Sequence, residues 1–109
     1  MAENRLDAIY ARQSVERADS ISIENQIAWC VAETRGNPYR VYSDRGYSGG
    51  NTHRPAFAAM MEDVQSGQIG RVIVYKLDRI SRSLVDFVNI TQALNRRGVA
   101  FVSATERFD

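Results

Sequence analysis

The stretch Leu6-Asp7-Ala8-Ile9-Tyr10-Ala11-Arg12-Gln13-Ser14 decides how the rest of the chain is read. Its first six residues have the apolar character of a buried strand, and it then stops in an arginine, a glutamine and a serine. A strand ending this way delivers a hydroxyl and a cation to the carboxyl edge of a sheet. In open α/β sheets that edge is where ligands bind. Ser14 is therefore either a nucleophile or the cap of the segment that follows.

Working outward, strand-like and helix-like runs alternate. Residues Gln13 to Ser20 are polar and read as a loop. Ser22 is a good N-cap for a helix running to Arg35, whose apolar positions Ile23, Ile27, Cys30, Val31 and Thr34 recur at helical spacing before Gly36. Strand two is predicted over Tyr39 to Ser43. A glycine-rich surface loop, Asp44 to Arg54, follows, with Gly46 to Thr52 expected to be mobile. Pro55 starts a second helix with the stripe Phe57, Met60, Met61 and Val64, stopped by Gly67. Val72-Ile73-Val74-Tyr75 is the most β-prone run, continuous as in a central parallel strand covered on both faces. A third helix is predicted from Ser83, with Asp86 at capping-box spacing and Leu84, Phe87, Val88, Ile90, Ala93 and Leu94 on its buried side. Gly98 stops it, and Val99 to Ser103 form strand four.

This β-α-β-loop-α-β-α-β order predicts an α/β fold of three layers, a mainly parallel four-stranded sheet with helices on both faces. At 109 residues the chain is one domain. The 44% hydrophobic and 25% charged content is ordinary, and a net charge of +1 excludes a global basic field while permitting a local anion site. The single cysteine, Cys30, excludes an internal disulfide framework and a cysteine-rich zinc site, and reads as a small buried hydrophobe. The amino terminus lacks a signal-peptide h-region, and no run of about 18 apolar residues occurs. A soluble intracellular protein is expected. Strand four ends just before Asp109 with nothing to cover its outer edge, so a fragment of a longer protein is expected.

The polar groups collect where the strands end. Arg12 and Ser14 follow strand one, Asp44 and Ser48 follow strand two, and Asp78, Arg79 and Arg82 follow strand three, while Arg54 closes the glycine-rich loop and can swing back. Arginine stays protonated and its fork matches phosphate oxygens. A serine among such groups fits attack on a phosphodiester, where positioning and charge stabilisation dominate. An acyl-transfer triad fits poorly, because the lone His53 lies in the loop and no Gly-x-Ser-x-Gly elbow exists. Metal chemistry also fits poorly, with Asp44 and Asp78 diluted by arginines.

Each group also has a purely structural reading. Ser14 or Asp44 could cap a turn, Asp78 could simply pair with Arg79 or Arg82, and those arginines could be a solvated helix start. Two cations at a helix amino terminus nevertheless oppose its dipole, which favours an anionic partner. Gln26, on the first turn of helix one, could face solvent or the site. Tyr10 and Tyr75 read as core residues.

These residues carry a resemblance. Tyr10-Ala11-Arg12-Gln13-Ser14, Ser22-Ile23-Glu24-Asn25-Gln26, Asp44-Arg45-Gly46-Tyr47-Ser48-Gly49 with Arg54-Pro55, and Tyr75-Lys76-Leu77-Asp78-Arg79-Ile80-Ser81-Arg82 resemble the catalytic domain of serine site-specific recombinases, the resolvase/invertase superfamily. The Tyr-Ser-Gly and Arg-Pro details look like its large, phage-integrase branch. The resemblance implies a flavodoxin-like strand order 2-1-3-4, with Ser14 beside the switch point between strands one and three. It implies that Ser14 attacks a DNA phosphodiester to give a 5′-phosphoserine linkage and a free 3′-hydroxyl. Arg12, Arg54, Arg79 and Arg82 would surround the phosphate, with Asp78, Asp44, Ser48 and Gln26 as accessory groups. No metal or cofactor is implied. The partner is DNA in a bacterial or phage setting, with a dimer on DNA and a tetramer in the synapse for the full-length protein. Gln13 replaces the small aliphatic residue usual in the motif. The long helix used for dimerisation and the DNA-binding domains are not in the chain, so it is expected to fold, as a monomer, but not to recombine DNA alone. A small serine transposase, or a module that binds phosphate without bond breaking, are the alternatives.

Overall fold

The computed structural model describes residues 5–13, 22–45, 54–76 and 84–105. The mobility expected of Gly46 to Thr52 and the Ser83 cap lie outside them. Four parallel strands, β1 (Leu6–Gln13), β2 (Tyr39–Arg45), β3 (Ile69–Val74) and β4 (Ala100–Ser103), form one sheet in the order β2-β1-β3-β4. Helices α1 (Ile23–Thr34), α2 (Pro55–Gln65) and α3 (Leu84–Arg96) connect them. This is the α/β architecture and strand order expected from the sequence.

Side-chain alternation along the strands sorts the core into two layers. Ala8, Tyr10, Tyr42, Val72 and Val74 face Met60 and Val64 of α2 and Leu94 of α3. Ile9 and Ile73 face Cys30 of α1, with Ile27, Val31 and Val102 packed around them. Burial pushes the Cys30 thiol up to about 12, which agrees with its reading as a small hydrophobe.

The helix ends follow local chemistry. Ser22 caps α1, its hydroxyl accepting from the Asn25 amide at 3.2 Å. At the other end Arg35 takes the left-handed conformation with φ 52°, and Gly36 follows at φ 90°. Among the described residues no helix is long and apolar enough to cross a membrane.

Several boundaries differ from expectation. β1 and β2 each run two residues further, to Gln13 and Arg45, so Asp44 belongs to a strand rather than to the loop. β3 starts earlier, at Ile69, and ends at Val74, leaving Tyr75 half-buried against the exposed Trp29 rather than in the core. Val88 is 42% exposed instead of buried. Phe87, Ile90 and Leu94 already fill the three- and four-residue spacing that meets the sheet, and Val88, about 100° round the helix from Phe87, is turned outward.

Candidate active site

The carboxyl edge of β1 is built around the backbone of Arg12. The register of β1 with β3 ends at Tyr10 opposite Val74, so the next residues of β1 run on without that neighbour. Gln26 takes its place. Its side-chain oxygen accepts from the Arg12 amide at 3.2 Å, and its amide nitrogen donates to the Arg12 carbonyl at 2.9 Å. One primary amide thus supplies both hydrogen bonds that a strand residue would have made. Gln26 is fully buried, and α1 brings it there because Ser22 starts the helix four residues earlier. Of the two readings left open for Gln26, the solvent-facing one is excluded by its burial against the Arg12 backbone. Strand order reverses between β1 and β3, the place at which open α/β sheets bind ligands, and Gln26 bonds β1 at that end of the sheet.

On the other face of the sheet lies a second cluster. Arg12 is in register with Asp44, and Tyr10 with Tyr42, which puts Arg12, Tyr10 and Asp44 on one side. Asp44 is 2% exposed. Its carboxylate accepts from the Tyr10 hydroxyl at 2.7 Å, the Ala56 amide at 2.9 Å and the Phe57 amide at 3.1 Å. The last two are orphan donors in the first turn of α2. Arg54, the N-cap residue, makes no side-chain cap there, and Pro55 has no N–H, so a strand carboxylate caps the helix instead. The capping role that the sequence allowed for Asp44 is real, but its partner is a helix rather than a turn.

Arg54 closes the cluster. Its guanidinium carbon lies 4.3 Å from the centre of the Phe57 ring, and that ring meets Tyr10 edge to face at 5.5 Å. Burial raises the pKa of the Tyr10 hydroxyl and the bond to Asp44 raises it further, while the Arg54 and Arg12 cations pull the other way. Arg54, on the Phe57 ring that meets Tyr10, and Arg12, in register with Asp44, thus belong to the same corner of the sheet.

Of the sequence-predicted site residues, the structure brings together Arg12, Gln26, Asp44 and Arg54. Ser14, Ser48, Asp78, Arg79 and Arg82 lie outside the described residues. Tyr10 and Phe57 were read only as core and helix-stripe residues, yet they hold this corner. A signal existed for Tyr10, since a tyrosine in a fully buried strand must find a partner for its hydroxyl. Phe57 carried no such signal, because its spacing is satisfied by packing alone.

The chain matches the family described as the resolvase N-terminal domain over residues 8–109. A Bacillus subtilis (strain 168) protein with a DNA-recombinase name is 35% identical over 97 residues, covering 87% of this chain and 19% of that protein. The transposon Tn552 DNA-invertase BinR of Staphylococcus aureus is 35% identical over 79 residues, covering 70% of this chain and 40% of the relative. The chain thus spans well under half the length of these relatives. Among solved structures, the N-terminal catalytic domain of TP901-1 integrase superposes with a TM-score of 0.75 at 31% identity, covering 92% of this chain and 77% of that one.

Proposed function

The chain belongs to the resolvase N-terminal domain family, and from that premise we propose that it is the catalytic domain of a serine site-specific DNA recombinase with Ser14 as nucleophile. What carries this reading is the placement around Arg12, two residues before Ser14, of Gln26 on its backbone and of Asp44 and Arg54 in the neighbouring cluster at the carboxyl edge. In the proposed step the Ser14 Oγ loses its proton and forms a bond to phosphorus. The bond from phosphorus to the 3′ oxygen breaks, and that oxygen leaves protonated as a 3′-hydroxyl. The product is a 5′-phosphoserine ester, which stores the bond energy so that rejoining, by attack of a 3′-hydroxyl on the ester, needs neither metal nor nucleotide cofactor.

The arginines supply charge where it develops on the phosphate, with Arg12 and Arg54 joined by Arg79 and Arg82. Asp78 and Ser48 serve as accessory polar groups. Gln26 and Asp44 contribute through what they hold, the one fixing the Arg12 backbone next to the nucleophile and the other seating the start of α2. The partner is duplex DNA, bound by dimers that pair as tetramers when strands exchange.

The test uses the longest natural polypeptide carrying this domain. Wild type is expected to form a DNA adduct that survives on a denaturing gel, and Ser14→Ala to bind DNA without forming it. An adduct persisting in Ser14→Ala removes Ser14 from the role. A function undisturbed by that substitution would favour a module that binds phosphate without bond breaking.

A further inference from the structure

We propose that Phe57 and Tyr10 are positioning residues that hold the Arg54 guanidinium in place through an aromatic stack anchored on Asp44. The catalytic consequence rests on the recombinase reading above, but the geometry does not.

Arg54 follows a glycine-rich stretch of sequence and has a long side chain with many rotamers. Such a group is a poor clamp unless something selects its conformation before the anion arrives. The ring of Phe57, three residues on at the start of α2, lies under the guanidinium at 4.3 Å. Attraction to a ring face needs no N–H···O bond, so this contact does not itself use the donors that a phosphate would meet.

Phe57 is itself held twice. Its amide donates to Asp44 at 3.1 Å, and its ring meets the fully buried Tyr10 at 5.5 Å with the planes 70° apart. Tyr10 bonds the same carboxylate at 2.7 Å. Backbone and ring of Phe57 therefore refer to one fixed point, and that point lies on β2 in register with Arg12. The stack measures the position of Arg54 from the strand that carries Arg12.

Two readouts test this. In the labelled 109-residue chain, the Arg54 side-chain protons should resonate upfield through the ring current of Phe57. That displacement should vanish in Phe57→Leu and remain in Phe57→Tyr. In the longest natural polypeptide, Phe57→Leu should slow single-turnover adduct formation about three- to thirtyfold with DNA affinity unchanged, and Phe57→Tyr should recover most of the rate. Leucine is apolar and close in size, so the fold should survive it. If Phe57→Leu nevertheless unfolds, the wild-type spectrum still decides, because the absence of an upfield shift overturns the stack. A shift that is present with an undiminished Phe57→Leu rate overturns the positioning role alone. A wild-type polypeptide that forms no Ser14-dependent adduct removes the recombinase reading and the catalytic role with it, whatever the spectrum shows.

Discussion

The two ends of the sheet each bury an aspartate, and they treat it differently. At the amino edge Asp7, 5% exposed, is met by a cation. Arg71 grips it with two nitrogens at 2.7 and 3.2 Å and donates to the Glu33 carbonyl at the end of α1. At the carboxyl edge the donors that meet Asp44 are a phenol and two backbone amides. The first arrangement locks one charge with another. The second holds a carboxylate with neutral groups and lets it cap a helix, while Arg12 and Arg54 gather at the same corner. The amino edge thus matches cation to anion directly, and the carboxyl edge stabilises its anion with neutral groups.

The largest expected effect separates these two aspartates. Asp44→Ala orphans three donors in a buried place and should cost roughly 3–5 kcal/mol in urea unfolding. Asp7→Ala leaves behind Arg71, whose side chain is 30% exposed and can turn toward water, so about 1–2 kcal/mol is expected. Salt should shrink the Asp7 effect and leave that of Asp44 almost unchanged. Equal costs with equal salt dependence would erase the distinction.

A smaller effect is expected at Gln26. Gln26→Leu keeps the apolar bulk but leaves the Arg12 amide and carbonyl without their side-chain partner, at about 2 kcal/mol. The rate of adduct formation should fall further than this loss of stability explains, because Ser14, the proposed nucleophile, follows Arg12 by two residues. If rate and stability fall in proportion, Gln26 is only a structural bond.

The smallest effect is on pH dependence. The Tyr10 pKa is raised in the folded state by burial and by Asp44. Tyr42 is likewise pushed up to about 12 by burial and its bond to Asp63. In both cases the folded chain keeps a proton that the unfolded chain releases near pH 10, so their stabilisation is complete below that pH and declines above it. Tyr10→Phe should flatten the alkaline loss of stability between about pH 10 and 12, and a slope equal to wild type would mean that the phenol ionises freely in the fold.

Much of this molecule was legible in its sequence, for a physical reason. Period-two and helical spacing report which faces must leave water, and caps such as Ser22 and Pro55 report where helices begin. Those local signals determined the element order and hence the parallel sheet with helices on both faces. They also put Arg12 and Asp44 near one edge, and the motif that ends in Ser14 pointed to phosphodiester chemistry. What the spacing could not carry is who bonds to whom across the chain. Gln26 was poised between solvent and site until β3 was seen to end its register with β1 beside it. Tyr10 and Phe57 looked like core because packing alone explains their spacing. Their second task depends on a carboxylate more than thirty residues from Tyr10 that meets the start of α2 only once β2 lies beside β1. Hydrogen-bond partners over such separations are set by register and helix docking, and only the tertiary structure decides them.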